Sequence, residues 1–578
     1  MAAVVSPPIA SFRTPSSATE FWSTAARDRL ASIRGNAFVR DQYTAARLQR
    51  SLQEELMAIQ SVVCTVSAEL NSLSPISRLP PETMSHILSY VAAIDRPDLE
   101  LKPEKFALAH RQRLGWIKAT HVCRRWRHIA LNFTDLWRRV ILVFGAEWAE
   151  EMVARAKSAP LCFTLDHRWR TVRESTGPVI SDHLQRTQSV SVLHGGSSSA
   201  GYWLRYLAKC LFHKPAPFLE SVEFGDPDER VHWDMESNFF NDSAPRLRSV
   251  VLRGCTSFAW HSPILRHLTS LTIEDCTQRL SFDDFVTLLQ QMKAIKVLVL
   301  KHCLPNVEDT SSSSPSAVVD LTQLTDFTLN GVLSIVVRLL THLRIAGTTR
   351  LSITSHSGQN FDYPMFVTVL QGTGFLDKGL PFTHVQHPTV SYGACLYAWR
   401  APHASASSSP HDPADLMLHF SSGGNRIVER TAVALLKAIH PRAIPGQDLV
   451  HLEVRSYRDG WTAQTWLDLF GHSPNMRRVE IAGRPIATAF VTALSHRSGD
   501  AETGCQSFFM PSLTSLELTF SIYPSIPADC EFYERLLAAM ESRKQDGVVL
   551  SQISAAWSDF PEARLARLRE FVPLVEHL

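Results

Sequence analysis

The stretch that decides the fold reads Leu79-Pro80-Pro81-Glu82-Thr83-Met84-Ser85-His86-Ile87-Leu88-Ser89-Tyr90-Val91. Proline is tolerated in the first turn of a helix because its missing N–H would have no partner there, and Glu82 complements the positive end of the helix dipole. Met84, Ile87, Leu88 and Val91 fall at i, i+3, i+4 and i+7, which forms one apolar helical stripe. The stretch therefore predicts an amphipathic helix that begins at the paired prolines.

A second helix is predicted some thirty residues further on. Its apolar stripe is followed by Leu136-Trp137 and consists of Ala119, Val122, Cys123, Trp126, Ile129 and Ala130. Two short amphipathic helices cannot build an independent core, so we expect their apolar faces to contact another protein.

These residues resemble an F-box, in the form found in many F-box proteins of fungi, and we place this domain at residues 75–140. The resemblance implies binding to a Skp-type adaptor and, through it, to a cullin. One departure from the family is large. Residues 92–115, with Pro97 and Pro103, separate the two halves of the F-box where the family usually has a short loop, so the sequence does not place the middle helix of the F-box. By resemblance, the adaptor contact or its supporting core comprises Leu79, Pro80, Ile87, Leu88, Val122, Cys123, Trp126, Ile129, Leu136 and Trp137.

The segment before the F-box has two parts. Residues 1–40 are rich in Ser, Ala, Thr and Pro without a sustained period, and we expect a mobile arm. Residues 41–74 predict a helix with the 3.5-residue seam of a coiled coil. The seam, which either packs on the chain's own F-box or dimerises, consists of Leu52, Leu56, Ile59, Val63, Val66, Leu70 and Leu73. Similar helices often precede the F-box in the fungal family, which favours internal packing.

After the F-box, the helical period gives way to short β-type runs of the form L-x-x-L-x-L. Eight such frames begin at Leu219, Leu247, Leu268, Ile295, Leu324, Leu449, Met476 and Leu513. The first five are 28, 21, 27 and 29 residues apart, as in leucine-rich repeats, whose units of about 20–29 residues give one strand and one helix each. The predicted fold class is α/β. The all-helical F-box is followed over residues 141–578 by an irregular leucine-rich-repeat solenoid, with parallel strands and with helices on its convex side.

Three cysteines support this repeat. Cys255, Cys276 and Cys303 each lie eight residues after the first apolar position of their frame, where the leucine-rich consensus places Asn or Cys. The alternative is a metal site, but unpaired ligands 21 and 27 residues apart are poor zinc spacing. We therefore predict a structural row of thiols, with no metal.

The repeat is irregular elsewhere. The frame is lost between Ser355 and Asp448, apart from strand-like runs at 391–399 and 416–420, and Ser-rich loops are expected near 309–317 and 400–414. Helices are predicted at 281–292, 465–470 and 532–542, a strand at 548–553, and a last helix from Pro561 that caps the array.

Composition narrows the function further. The net charge is +2 and no apolar run is long enough to span a bilayer, so neither nucleic acid nor membrane is an expected partner. Ten cysteines without a C-x-x-C pair and the absence of a signal-peptide pattern indicate a cytoplasmic or nuclear protein. H-E-x-x-H, G-x-S-x-G and Walker motifs are absent, so we expect neither an enzyme nor a cofactor.

Two functions remain, and they differ in class. The resemblance implies the substrate-recognition adaptor of a Skp–cullin–F-box ubiquitin ligase, whereas the insertion at 92–115 leaves open a repeat scaffold with no role in ubiquitination. In the first case, the unknown protein substrate would contact a polar column predicted on adjacent strands, formed by Arg253, Glu274, Lys301 and Asn330. The alternative is that the column only solvates the sheet while its charges compensate one another.

Overall fold

The structure is a computed structural model of the 578-residue chain, and the chain divides into two compact units, residues 1–136 and 137–578. The residues that the structure describes are 17–34, 42–101, 110–167, 175–194, 200–226, 232–235, 239–306, 318–356, 362–376, 382–390, 393–400, 413–421, 428–456, 460–499, 506–519, 530–555 and 562–577.

The first unit is mainly helical. Its elements are α1 (Ala18–Arg34), α2 (Gln42–Ser72), α3 (Pro81–Ile94), β1 (Asp98–Leu101), β2 (His110–Arg113), α4 (Arg124–Asn132) and α5 (Thr134–Trp137), which ends at the first residue of the second unit. Residues 18–34, expected in a mobile arm, instead form a helix that packs on α2, where Arg29 pairs with Glu55 at 2.6 Å.

The predicted second F-box helix is two elements. Residues 115–121 form a 3₁₀ helix, and α4 starts only after Cys123, which is extended (φ −156°) and whose Sγ accepts a hydrogen bond from the Trp126 N–H at 3.5 Å. The prediction of one continuous stripe was wrong because this cap interrupts the helix, and Val122, beside the break, is 58% exposed.

The insertion contains an antiparallel hairpin, so the F-box region is not all-helical as predicted. In it Asp98 pairs with Arg113 and Leu101 pairs with His110, while residues 102–109 lie outside the described part of the chain. The excursion is closed at its base, where the Trp116 N–H donates to the Asp95 carbonyl at 2.8 Å. Gly115 adopts φ +52° beside this bond, and a Cβ there would lie 2.5 Å from the carbonyl carbon of Arg96.

The second unit is built on a large parallel-rich sheet with helices. Its strands are β3 (Arg139–Ile141), β4 (Leu161–His167), β5 (Thr187–His194), β6 (Ser221–Gly225), β7 (Trp233–Asp234), β8 (Ser249–Arg253), β9 (Cys255–Ser257), β10 (Ser270–Glu274), β11 (Val297–Lys301), β12 (Val319–Leu321), β13 (Asp326–Val332), β14 (Leu343–Ile345), β15 (Arg350–His356), β16 (His384–Val390), β17 (Gly393–Trp399), β18 (Leu416–Ser421), β19 (His451–Arg455), β20 (Arg478–Ala482), β21 (Arg497–Gly499), β22 (Gln506–Phe508), β23 (Ser515–Thr519), β24 (Gln552–Ala555) and β25 (Leu574–His577).

Helices connect most of these strands. They are α6 (Ala146–Ala156), α7 (Thr176–Asp182), α8 (Ala200–Phe212), α9 (Phe282–Gln291), α10 (Leu333–Leu340), α11 (Tyr363–Gly372), α12 (Val428–Ala443), α13 (Ala463–Phe470), α14 (Arg484–Leu494), α15 (Cys530–Gln545) and α16 (Glu562–Arg569). Helix α9 begins where the sequence predicts, because the Ser281 hydroxyl accepts a hydrogen bond from the Asp284 N–H at 3.2 Å.

The sheet follows the chain from β3 to β15, with each strand parallel to its predecessor and with β7, β9, β12 and β14 in separate two-stranded pairs. The order then reverses locally. Strand β15 pairs with β18, β17 lies antiparallel between β18 and β16, and β16 pairs with β19. From β19 the sheet continues in parallel through β20, β23, β24 and β25.

All eight predicted frames form strands of this sheet. Their 24 apolar positions are at most 2% exposed, and the intervening residues point to the opposite face. The three repeat cysteines are buried one residue beyond a left-handed turn, whose φ is +70° at Gly254, +56° at Asp275 and +52° at His302. A single local geometry therefore recurs at the ends of β8, β10 and β11.

The irregular regions agree with expectation in part. The strand-like runs predicted at 391–399 and 416–420 form β17 and β18, whereas β16 was not predicted. Residues 307–317 and 401–412, where loops were predicted, lie outside the described residues. The last helix, α16, is followed by β25, which pairs with β24, so the chain's final described element extends the sheet instead of capping it.

Candidate partner-binding surfaces

The F-box region has a compact core formed by α3, the 3₁₀ helix at 115–121 and α4. Met84 and Leu88 of α3 are fully buried, and the side chains of Trp116, Ile117 and Ile129 are almost completely buried. Trp116 and Ile117 were not among the predicted site residues, although their position directly after the insertion and their apolar character were available as a signal. In the sequence they directly follow residues 92–115, the insertion that left the middle helix of the F-box unplaced.

The ten residues selected from the sequence fall into three groups. Those that are buried are Leu88, Ile129, Leu136 and Trp137. Those that are half-buried are Leu79, Ile87, Cys123 and Trp126, and those that are exposed are Pro80 and Val122.

Further exposed apolar side chains lie on α3 beyond the predicted set. Ile94 is 86% exposed, Tyr90 is 74% exposed and Val91 is 36% exposed. Val122, which follows the 3₁₀ helix, is a fourth exposed apolar side chain of the F-box region.

An arginine of α4 contacts the backbone of the residues that precede α3. The Arg125 guanidinium donates to the backbone carbonyls of Ser77 and Leu79, and the neighbouring Arg127 donates from Nε to the Thr120 carbonyl at 3.0 Å. These contacts join residues up to 48 positions apart in the sequence, so no local sequence pattern indicates them.

The predicted polar column exists as a row of register partners. Glu274 lies between Arg253 and Lys301 on adjacent strands, and Lys301 lies beside Asn330. Glu274 accepts from Arg253 at 2.9 Å and from Lys301 at 2.7 Å, and Arg253 also pairs with Glu223 of β6 at 2.9 Å. The charges of this column are therefore compensated within the sheet.

A second polar column, which the sequence analysis missed, lies on the same face towards the C-terminal end. Glu453, Glu480 and Glu517 are direct register partners on β19, β20 and β23. The sequence contained a signal for this column, because each of these glutamates stands between the second and third apolar residues of its frame.

The pKa values of Glu480 and Glu517 shift in opposite directions because their neighbours differ. Burial acts to raise the pKa of Glu480, but hydrogen bonds and charges from His451 and Arg478 outweigh it and the pKa is lowered. Burial, followed by repulsion from Glu480, raises the pKa of Glu517. Arg478 bridges the two carboxylates at 2.7 and 3.1 Å.

A row of aromatic rings continues this second column onto the strands of reversed order. The His384 ring stacks on Trp399 at 4.7 Å and on His451 at 4.1 Å, and Tyr397 stacks beyond Trp399 at 6.2 Å. The His451 Nε2–H donates a hydrogen bond to the Glu480 carboxylate, with the two atoms 3.0 Å apart.

Among the described residues, no His, Cys, Asp and Glu side chains form a group of three or more that could hold a metal ion, and no helix is both long and apolar enough to cross a membrane. The three thiols of the repeat row differ. Burial raises the pKa of Cys255 and of Cys303 well above the usual value, whereas a hydrogen bond with Cys255 lowers the pKa of Cys276.

Comparison with known proteins identifies one part of the chain. No curated protein matches the sequence. The F-box-like family model matches residues 76–143. This range contains helix α3, the insertion at 92–115, the clamp that Arg125 forms on the Ser77 and Leu79 carbonyls, and the Leu136-Trp137 pair. The chain therefore carries an F-box-like domain at residues 76–143.

Proposed function

We propose that this chain is the substrate-recognition subunit of a Skp–cullin–F-box ubiquitin ligase. The observation that carries the proposal is the F-box-like domain at 76–143, whose apolar residues divide into a buried core and an exposed set. The exposed and half-buried members, among them Val122 and Trp126, would contact the Skp-type adaptor, and Leu88 and Ile129 would support them.

The second unit would serve as an irregular leucine-rich-repeat array that holds a protein substrate. Two repeated features support this proposal. All eight frames form strands, and three of these strands are followed by a left-handed turn and a buried cysteine. The reversed order around β16–β18 would be an irregularity within that array.

The mechanism requires no acid, base or nucleophile from this chain. A substrate lysine held beside a charged ubiquitin-conjugating enzyme reacts faster because its effective concentration is raised. The chain would be non-catalytic and would act by placement alone.

Adaptor binding is tested with the exposed Val122. Its replacement by Glu places a charge on the apolar surface without opening a cavity, and Lys118→Glu, on the exposed side of the preceding 3₁₀ helix, is the matched control. We expect Val122→Glu to abolish co-purification of the Skp adaptor and a cullin, and Lys118→Glu to retain it. Wild-type adaptor affinity in a folded Val122→Glu protein would refute the assignment.

A second candidate function, a scaffold without ubiquitination, is favoured by the hairpin at 98–113 inside the F-box region. The Trp116 N–H donates to the Asp95 carbonyl and so holds the two ends of the hairpin together, and the deletion of residues 98–113 keeps both of these residues. We expect the deletion to preserve adaptor binding. Retention of the adaptor without a cullin in the intact protein would instead support the scaffold.

The substrate face is the side of the sheet opposite the frame residues. Because Arg253 and Lys301 are both held by Glu274, reversing these two alone would disturb the sheet itself. A balanced swap, Glu223→Arg, Arg253→Glu, Glu274→Arg and Lys301→Glu, keeps alternating charge on adjacent strands and inverts only the pattern. A changed set of captured partners would place the substrate on this column, whereas an unchanged set that is altered by Trp399→Ala would place it on the aromatic row.

A further inference from the structure

The seam of α2 is a continuous apolar surface that the rest of the described chain does not cover. All seven seam positions, from Leu52 to Leu73, are between 37% and 72% exposed, and no side chain of α2 is buried. The 31-residue helix is about 46 Å long, so the seam extends over roughly three heptads. The internal packing that the sequence analysis favoured is therefore not what the structure shows.

Helix α1 does not fill this role. Its Arg29 pairs with Glu55 of α2, with Nη2 and Nε 2.6 and 2.9 Å from the carboxylate. Two aromatic residues of α1, Phe21 and Trp22, are themselves more than half exposed. The pair of helices thus leaves the α2 seam open along its length.

We propose that α2 pairs in parallel with α2 of a second copy of this chain as a two-stranded coiled coil. The seam alternates in steps of three and four residues, and a strict 3.5-residue period is buried best by a helix of the same period, which inserts its side chains into the gaps between four residues of its neighbour. In this register Leu56, Val63 and Leu70 occupy position a, and the d positions are Leu52, Ile59, Val66 and Leu73. The chain itself supplies the complementary helix.

The residues that flank the seam decide the orientation. The g positions are Glu55, Val62 and Glu69, and the e positions are Gln53, Gln60 and Ser67. In a parallel pair each g glutamate faces a neutral e residue of its partner, so no like charges meet. An antiparallel pair with full overlap would set Glu69 against Glu55 of the other copy, and because Arg29 already pairs with Glu55, the second carboxylate there would be unfavourable.

The area available fits a reversible dimer. Apolar side chains of this size contribute roughly 60–120 Å² each when fully buried, and the seam residues are on average about half exposed. Two seams together would bury on the order of 500–1,000 Å² of apolar surface, close to the lower limit of specific interfaces once flanking polar area is added. We therefore expect association in the micromolar range rather than an obligate dimer.

The test is sedimentation equilibrium of the full-length protein between about 1 and 100 μM. The variant Ile59→Glu/Val63→Glu places two charges on the seam, and the matched control Ser61→Glu/Thr65→Glu places two charges with the same spacing on the other side of α2. All four residues are exposed, so neither variant opens a cavity. We expect wild type and control to reach twice the 64.7 kDa chain mass with one dissociation constant, and the seam variant to bind itself at least 100-fold more weakly.

Orientation is tested by Leu70→Cys, at the last seam position inside α2, under mild oxidation. A parallel pair brings the two new thiols together and gives a covalent dimer absent from wild type, while an antiparallel pair with full overlap keeps them more than about 20 Å apart. A wild-type protein that stays monomeric, or a seam variant that associates as well as the control, overturns the proposal. Because Val122 does not belong to the seam, Val122→Glu should still dimerise, and a failure of adaptor binding is thereby distinguished from a failure of pairing.

Discussion

Acidification should destabilise the second unit through a buried pair of histidines. His387 of β16 and His440 of α12 are 4% and 3% exposed, and their Nε2 atoms lie 3.3 Å apart, within hydrogen-bond reach. The His440 ring also packs against Phe470 at 4.7 Å. Burial lowers the pKa of His440 to about 4, and burial together with repulsion from His440 lowers the pKa of His387 well below its usual value.

The direction of the effect follows from the two states. Above pH 6.5 both imidazoles are neutral in the folded and in the unfolded chain, so the pair does not affect the pH dependence. Below pH 6.5 the unfolded chain binds protons that the folded chain excludes, and stability falls until the pH reaches about 4. One pKa unit corresponds to about 1.4 kcal/mol, so His440 alone removes about 2 kcal/mol by pH 5, out of about 5–15 kcal/mol for a typical domain.

The assay is urea unfolding of the full-length protein at pH 7.5 and pH 5.0. The double variant His387→Leu/His440→Leu removes both partners and leaves neither ring buried without its hydrogen bond, while His472→Leu removes an exposed histidine as the control. We expect the loss of unfolding free energy between the two pH values to be at least about 2 kcal/mol smaller in the double variant than in wild type or control. An equal loss in all three proteins would refute the assignment of this pH dependence to the pair.

Three further substitutions test local features of the fold by thermal or urea unfolding. Gly115→Ala should lower the free energy of unfolding by at least about 1–3 kcal/mol, because φ is +52° and the new Cβ would lie 2.5 Å from the Arg96 backbone. An unchanged unfolding midpoint would contradict this close approach of Gly115 to Arg96. Arg543→Met should cost about 3 kcal/mol, since the buried guanidinium donates to two backbone carbonyls at 2.8 Å, and Arg543→Lys should recover part of the loss. Ser281→Ala should cost about 1 kcal/mol by removing the cap of α9, with Ser281→Thr near wild type because a threonine hydroxyl can also accept from the Asp284 N–H and donate to the Asp284 carboxylate.

The sequence by itself determined those elements whose information is local. The paired prolines and apolar stripe place α3, and the eight frames place eight strands, because alternate burial in a strand and the 3.6-residue period of a helix are written in neighbouring residues. The register of the predicted column also followed, since Glu274 is fixed beside Arg253 and Lys301 once each frame is aligned. The frames do not mark β4, β5 and β15, whose segments lack the same leading leucine although they join the same sheet.

Only the tertiary structure decided how segments distant in sequence meet. The reversed order of β16–β18 depends on pairing between β15 and β18 across some sixty residues, and no local pattern carries that choice. The clamp of Arg125 on Ser77 and the meeting of His387 with His440 are contacts of the same kind. The exposure of the α2 seam is the clearest case, because a 3.5-residue period specifies that a helix will be covered but not by which molecule; that depends on whether the rest of the chain offers a matching surface.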